Sequence, residues 1–189
     1  MTQSDQRYAR ASIILHWAML ALLVGVYTCI ELRELYPRGS DPREALKTWH
    51  FMLGLTVFAL VWIRMAARLF GKTPPIMPAA PKWQRLVAKI VELALYILMF
   101  ILPLLGWVTL SAEGDPIPFF GLELPALVAP NESLAERTED LHKTLGTAGY
   151  YLIALHALAA LYHHYVRRDN TLRRMMLSRG RTEPEPRLR

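Results

Sequence analysis

The sequence predicts an all-α membrane protein, a bundle of four transmembrane helices with both termini in the cytoplasm. Of the 189 residues, 53% are hydrophobic, and the mean hydropathy is +0.19. Charged residues make up 20% of the chain, but they are concentrated in a few blocks. Four long runs between these blocks contain no Asp, Glu, Lys or Arg. Because a helix needs about 20 residues to cross the hydrocarbon core, we interpret the runs as four spans.

The uncharged runs set the expected helices. They are Ala11–Ile30, Thr48–Ile63, Leu93–Ala112 and Thr144–Val166, with 20, 16, 20 and 23 residues. The second run is short and needs flanking residues to reach across the bilayer. We therefore predict one domain over residues 1–176, with helices at about 10–32, 45–69, 86–112 and 133–167. A basic cytoplasmic tail, expected to be disordered, follows over residues 177–189.

The basic residues predict the orientation. The N-terminus, the second loop and the segment after Val166 are basic, and this last segment alone holds eight arginines. The third loop is acidic, with seven Asp and Glu residues against Arg137 and Lys143. Since Lys and Arg concentrate on cytoplasmic segments, we expect the first and third loops on the outer, periplasmic side. The net charge of +6 is thus a topology signal, and we expect membrane lipid around the chain and no nucleic-acid partner.

Proline and a capping pattern mark the expected helix ends. The segment 71–83, GKTPPIMPAAPKW, is too rich in proline for a helix and ends the second one. The outer loop 113–140 mixes proline with apolar residues, so it either folds over the outer end of the bundle or lies at the membrane interface. Within it, Ser133 and Glu136 fit a capping box, which predicts that the last helix begins near Ser133.

Histidines are the unusual feature of the predicted spans. All six lie in or at the edge of a span: His16, His50, His142, His156, His163 and His164. Ionisable residues within a membrane indicate function by default. The alternative for a histidine near a helix end is a solvated interfacial side chain.

The spacing of the histidines predicts two pairs. His142 and His156 are 14 residues apart, which places them on one helix face and about 21 Å apart along the axis. His50 begins the second helix at the outer side, at the depth of His142. His16 lies in the inner half of the first helix, at the depth of His156. We therefore predict the pairs His50–His142 outside and His16–His156 inside.

Two pairs of imidazoles favour two non-covalent haems b. Haem iron needs only two axial ligands, and a four-helix bundle can hold haem between facing helices. A structural zinc site needs four ligands, and the chain has one cysteine, so it has no Cys-x-x-Cys-His motif for covalent haem. Four glycines would leave room for porphyrin faces, although glycine is common in membrane helices anyway: Gly54, Gly106, Gly146 and Gly149.

Charged residues near the pairs are candidate partners for the haem propionates. Lys47 and Lys143 flank the outer pair, and Arg10, Arg64 and Arg68 lie on the inner side. Arginine can bind a carboxylate with two hydrogen bonds, but arginines here also fit an ordinary cytoplasmic flank. His163 and His164 are candidates for proton handling beside a quinone, because histidine titrates near neutral pH. The competing interpretation is an interfacial pair.

Several segments resemble the bacterial di-haem cytochrome b561 family. They are ILHWAML around His16, TWHFMLG around His50, LHKTLGTAGYYLIALHA around His142 and His156, and LYHHYVRRDNTLRRMM. The resemblance runs from about Arg7 to Met176, and its last segment is the most specific. It implies four transmembrane helices in the bacterial inner membrane and two bis-histidine haems b on these positions. It also implies electron transfer from periplasmic superoxide to ubiquinone.

Two alternatives stay open at this point. The family also includes membrane subunits that exchange electrons with quinone and a separate redox partner protein. From another class, a histidine-based metal transporter would use the same four paired histidines. The acidic third loop would repel superoxide, whereas Lys47 and Lys143 beside the outer pair are candidates for a local positive spot that contacts it.

Overall fold

The computed structural model describes residues 7–177, which form four long helices and a small hairpin. In chain order the elements are α1 (Arg10–Leu32), α2 (Asp41–Phe70), α3 (Lys82–Glu113), β1 (Ile117–Phe119), β2 (Leu122–Leu124) and α4 (Glu132–Tyr165), with short 3-10 helices at Arg33–Leu35 and Arg173–Met175. Each of the four helices is long and apolar enough to cross a membrane. The predicted bundle of four membrane helices is therefore confirmed. Beyond Leu177, the predicted tail lies outside the described residues.

Two helices begin earlier than predicted. α2 begins at Asp41, where Pro42 occupies its first turn and Asp41 and Glu44 supply acidic side chains. Proline is tolerated in the first turn, and carboxylates favour the positive end of the helix dipole. α3 begins directly after Pro81. The uncharged runs mark only the apolar part of each helix, so they missed these polar first turns.

The predicted capping box at Ser133 is wrong. The N-cap of α4 is Asn131, whose side-chain oxygen accepts a hydrogen bond from the backbone N–H of Leu134 at 3.0 Å. Asparagine caps a helix as well as serine does. Because Asn131 already binds the third N–H of the helix, Ser133 lies inside the first turn and has no capping role.

The helices pack as two close pairs that leave a gap along α4. α1 packs along α2 and α3 packs along α4, while α2 and α3 join the pairs. Within residues 7–177, α4 makes few close backbone contacts with α1 or α2. We call the end where α1 ends and α2 begins the outer end, and the opposite end the inner end. These names follow the predicted orientation, which stays a prediction.

The outer loop forms a hairpin that packs on the bundle. β1 and β2 pair antiparallel, with Phe119 opposite Leu122. Ile117 is buried against Leu55 of α2 and Leu110 of α3. The sequence left open whether this loop folds over the outer end of the bundle or lies at the membrane interface. The buried side of the hairpin packs on the helices, as the first alternative predicts.

Candidate functional site

His50 of α2 and His142 of α4 face each other at the outer end. Their ring centroids are 6.0 Å apart and their planes are inclined by 71°. Nδ1 of His50 lies 3.0 Å from the carbonyl oxygen of Val26. Since a carbonyl oxygen only accepts, Nδ1 of His50 carries the proton and Nε2 keeps its lone pair. A histidine held in this way presents Nε2 as a metal ligand.

His16 of α1 and His156 of α4 form a second facing pair. Their ring centroids are 6.2 Å apart, with an angle of 59° between the planes. Nη2 of Arg64 lies 3.0 Å from Nδ1 of His16, and its guanidinium lies over the ring of Tyr96. A guanidinium only donates hydrogen bonds, so Nδ1 of His16 is the acceptor. The inner pair thus differs from the outer pair, in which Nδ1 of His50 donates.

The geometry of each pair fits two axial ligands of one iron. A metal–imidazole bond is about 2 Å long and each ring centroid lies about 1 Å further away, so two such rings have centroids about 6 Å apart. Both pairs bridge the gap between α4 and the α1–α2 pair. Within the described part of the chain, no group of three or more His, Cys, Asp or Glu side chains could hold a metal ion. The residues fit haem better than a metal cage.

The outer pair lines a cavity of about 590 Å³. A Cβ atom added at Gly54 or Gly146 would meet no atom within 4 Å, so these two glycines face open space in the cavity. A Cβ at Gly106 would lie 3.4 Å from Cε1 of His142. A Cβ at Gly149 would collide with the hydroxyl of Tyr27. Two of the four glycines therefore leave room in the cavity, and the other two permit close packing.

Tyr27 and Tyr150 close the cavity between α1 and α4. Their ring centroids are 4.2 Å apart. The hydroxyl of Tyr27 donates to the carbonyl of Gly146 at 2.9 Å, and that of Tyr150 donates to Glu31 at 2.5 Å. These contacts cross the gap that the backbones leave open. Sequence reasoning missed this closure, because nothing in the spacing of the tyrosines indicates a partner helix.

The two lysines predicted near the outer pair lie in the cavity lining, each beside a carboxylate. Lys47 is 3.8 Å from Asp115, and Lys143 is 2.8 Å from Glu139. Arg38 also lines the cavity, and among the described residues it forms no ion pair or side-chain hydrogen bond. Sequence reasoning did not single out Arg38. The feature of the sequence that could have indicated Arg38 is its position next to Gly39 in the first loop. In the structure, Gly39 has a φ of +76° and lies in a turn.

The arginines predicted for the inner side are not equivalent. Arg64 contacts His16 directly, whereas Arg68 pairs with Glu92 at 3.1 Å and lies over the ring of Tyr8. Arg10 begins α1 as an exposed side chain, and no contact among the described residues ties it to the histidines. Of the three, the structure brings only Arg64 to a histidine pair.

His163 is held by a buried carboxylate that sequence reasoning missed. Its Nδ1 donates to Asp169 at 2.5 Å, and the backbone N–H of Thr171 donates to the other carboxylate oxygen at 2.9 Å. Burial acts to raise the pKa of Asp169, but the two hydrogen bonds outweigh it and hold this pKa below its ordinary value. Asp169 is the single acidic residue in segment 167–176, which is the signal that could have found it. His164 has a buried Nδ1 without a partner among the described residues.

The segment after α4 closes the inner end of the bundle. Asn170 bonds to the second loop through Met77 and Pro75. The carbonyl of Met175 accepts a hydrogen bond at 2.8 Å from the indole of Trp17, the neighbour of His16. The segment therefore joins α1, the second loop and α4 around the inner histidines.

Comparisons with known proteins agree with this arrangement. The profile of the prokaryotic cytochrome b561 family matches residues 7–177. The chain is 36% identical to cytochrome b561 homolog 1 of Escherichia coli, over 90% of this chain and 97% of that protein. It is also 36% identical to the probable superoxide oxidase CybB of Yersinia pestis, over 90% of this chain and 96% of that protein. Cytochrome b561 homolog 2 of Escherichia coli is 27% identical, over 93% and 94% of the two chains. With four apolar helices, the chain belongs to the prokaryotic cytochrome b561 family, and it is a multi-pass b-type haem electron-transfer protein of the bacterial inner membrane.

Proposed function

We propose that this cytochrome binds two haems b and transfers electrons from periplasmic superoxide to ubiquinone. His50 and His142 would hold the outer haem, and His16 and His156 the inner haem. The observation that carries the proposal is that two facing histidine pairs lie at opposite ends of one gap along α4. The proposal includes one domain over residues 1–176, with both termini in the cytoplasm.

The similarity to the probable superoxide oxidase of Yersinia pestis supports superoxide as the donor. In the balanced reaction, two superoxide anions each lose one electron and become two molecules of dioxygen. One ubiquinone takes up the two electrons with two protons and becomes ubiquinol. Bound haem supplies the one-electron redox chemistry. The protein supplies the ligands, the low-dielectric surroundings and the proton-bearing groups.

The outer residues favour an anionic donor despite the acidic third loop. Lys47 and Lys143 are each offset by a nearby carboxylate, which weakens their attraction for an anion. Arg38 has no such partner within the described chain and lies at the same cavity. A cationic residue at a cavity raises the local concentration of an anion. We assign Arg38 the main steering role, with Lys47 and Lys143 as secondary contacts to superoxide or to the haem propionates.

The inner residues suit proton and propionate contacts. Because Nδ1 of His16 accepts a hydrogen bond from Arg64, its neutral ring carries the proton on Nε2. If Nε2 bound the haem iron, the proton would have to move to Nδ1, which would then be a donor. Arg64 would then need another acceptor, and a haem propionate offers one. Arg68 and Arg10 remain candidates for the same role. His163, held by Asp169, would handle protons for ubiquinone, with His164 as a neighbouring candidate.

The decisive experiment follows haem spectra of the purified protein in bilayer discs. An enzymatic source of superoxide should reduce the haems, and added ubiquinone should reoxidise them. Superoxide dismutase is the control and should abolish the reduction. The haem content of the same sample should be two per chain.

Each other outcome supports a different alternative. If a chemical reductant reduces the haems but superoxide does not, the chain serves a separate redox partner protein. If the haem content is one per chain instead of two, one of the two histidine pairs does not hold a haem.

A further inference from the structure

The turn of the outer hairpin contains a phenylalanine in an unfavourable conformation. Phe120 and Gly121 connect the paired residues Phe119 and Leu122, and their φ angles are +48° and +85°. Two positive φ angles are typical of a type I′ turn, in which Asn-Gly is preferred. A bulky side chain at positive φ is a clear outlier and costs about 1–2 kcal/mol. The ring of Phe120 must therefore contribute something that outweighs this cost.

The turn lies beside an apolar part of α2. The backbone N–H of Phe120 donates to the sulfur of Met52 at 3.3 Å, and its ring packs edge-on against Trp49 with centroids 6.2 Å apart. Met52 is four residues inside the uncharged run that begins at Thr48, which is about 6 Å along the helix. The hairpin tip thus reaches the depth of the membrane-spanning surface.

The tip of the hairpin is apolar and exposed. Phe120 is 54% exposed and Leu122 is 67% exposed, and the segment 116–122 contains no charged residue. The tip continues the apolar surface of α2 through the contact between Phe120 and Trp49, and tryptophan is typical of the membrane interface. An N–H that donates to a thioether instead of water also fits surroundings that contain little water.

We propose that Phe120 and Leu122 insert into the lipid of the outer leaflet and anchor the hairpin there. Lipid is the occupant that the continuity with the membrane-spanning surface of α2 favours. Further from the tip, on the same face as Leu122, Ile117 and Phe119 pack in a cluster that includes Phe51, which also lines the outer cavity. The anchor thus connects the membrane to the cavity wall. It does not depend on which donor or acceptor the cytochrome uses.

The test measures the depth of the tip in lipid bilayers. In a Cys29→Ala background, which removes the single native cysteine, Leu122→Cys carries a nitroxide spin label. Glu123→Cys, the neighbour on the other face of β2, is the matched control. Accessibility to oxygen, which concentrates in lipid, is compared with accessibility to a water-soluble nickel chelate. The label at 122 should favour oxygen, and the label at 123 should favour nickel.

The substitution Phe120→Asn separates the anchor from the turn. Asparagine suits positive φ, so the hairpin should form while the apolar ring is lost. The ratio of oxygen to nickel accessibility at 122 should then fall severalfold, and Phe120→Leu should largely keep it. Should Phe120→Asn fail to fold, Phe120→Gly serves the same comparison. A label at 122 that already favours nickel with Phe120 present, or that does not respond to its loss, would overturn the proposal.

Discussion

His50 and His142 lie with their ring centroids 6.0 Å apart across a gap that the backbones of α2 and α4 leave open. The carbonyl of Val26 on α1 accepts a hydrogen bond from Nδ1 of His50 and fixes the orientation of its ring. Three helices therefore determine the position of one imidazole pair. α4 contributes a histidine to this pair and another to the pair with His16, so it is common to both sites.

This arrangement predicts that the four paired histidines fall into two groups of two. His50→Ala and His142→Ala should each remove the same haem, because either change would leave the proposed outer haem with one histidine. His16→Ala and His156→Ala should each remove the other. Haem content should fall from about two to about one per chain in every variant, measured with reduced-minus-oxidised spectra. Loss of the same spectral component in His50→Ala and His156→Ala would contradict the pairing.

The contact between Gly149 and Tyr27 predicts a strong coupling between these positions. Gly149→Ala places a methyl group against the hydroxyl of Tyr27 and should destabilise the protein by about 1–3 kcal/mol. Tyr27→Phe removes the clashing oxygen and costs about 1 kcal/mol for the lost hydrogen bond to Gly146. In the double variant, the cost of the added methyl group should largely disappear. Thermal unfolding in detergent measures all three variants, and additive costs would show that the hydroxyl is not the obstacle.

Arg38 lines the outer cavity and has no ion-pair partner among residues 7–177, which predicts a charge-specific effect on the donor reaction. Arg38→Gln should slow superoxide-driven haem reduction about two- to tenfold at low salt and flatten its dependence on ionic strength. Arg38→Lys should retain most of the rate, because the charge is kept. Stopped-flow traces with superoxide and with a neutral reductant give the comparison. An equal loss with the neutral reductant would point to a structural defect instead of steering.

The lowered pKa of Asp169 predicts stability that depends on pH. A carboxyl group whose pKa is lower in the folded state stabilises the fold above its unfolded value, and the stabilisation is lost as the pH falls through the folded pKa. At pH 7, Asp169→Asn should cost about 1–3 kcal/mol, because Asp169 accepts the hydrogen bond of His163. The difference from the unsubstituted protein should shrink below pH 3.8, the ordinary value for this group. Unfolding followed between pH 3 and pH 7 tests this, and a constant difference would refute it.

The corrected cap of α4 predicts opposite outcomes for two neighbouring polar residues. Asn131→Ala should destabilise the protein by about 0.5–2 kcal/mol, because the N–H of Leu134 loses its acceptor. Ser133→Ala should have almost no effect, since Ser133 accepts no capping bond. Thermal unfolding of the two variants decides between them. If Ser133→Ala destabilised the protein more than Asn131→Ala, Ser133 would be the capping residue after all.

Much of the fold could be predicted from local properties of the sequence. The length and apolarity of a run determine whether it crosses a bilayer, and both can be counted along the chain. The polar first turns of α2 and α3 escaped this count because they lie outside the apolar runs. The cap at Asn131 was not predicted because Asn131 and Ser133, which lie two residues apart, can both cap a helix. Only the path of the backbone shows that Asn131 reaches the N–H of Leu134.

The sequence alone determined the four spans and the depth of each histidine, because a helix rises by a constant distance per residue. Only the tertiary structure decided which groups stand beside these histidines. The packing of separate helices and loops places the carbonyl of Val26 at His50, the guanidinium of Arg64 at His16 and the carboxylate of Asp169 at His163. The spacing of residues along one helix determines how deep each side chain lies in the membrane. It does not determine which side chains of other helices lie beside it, because that depends on how the helices pack.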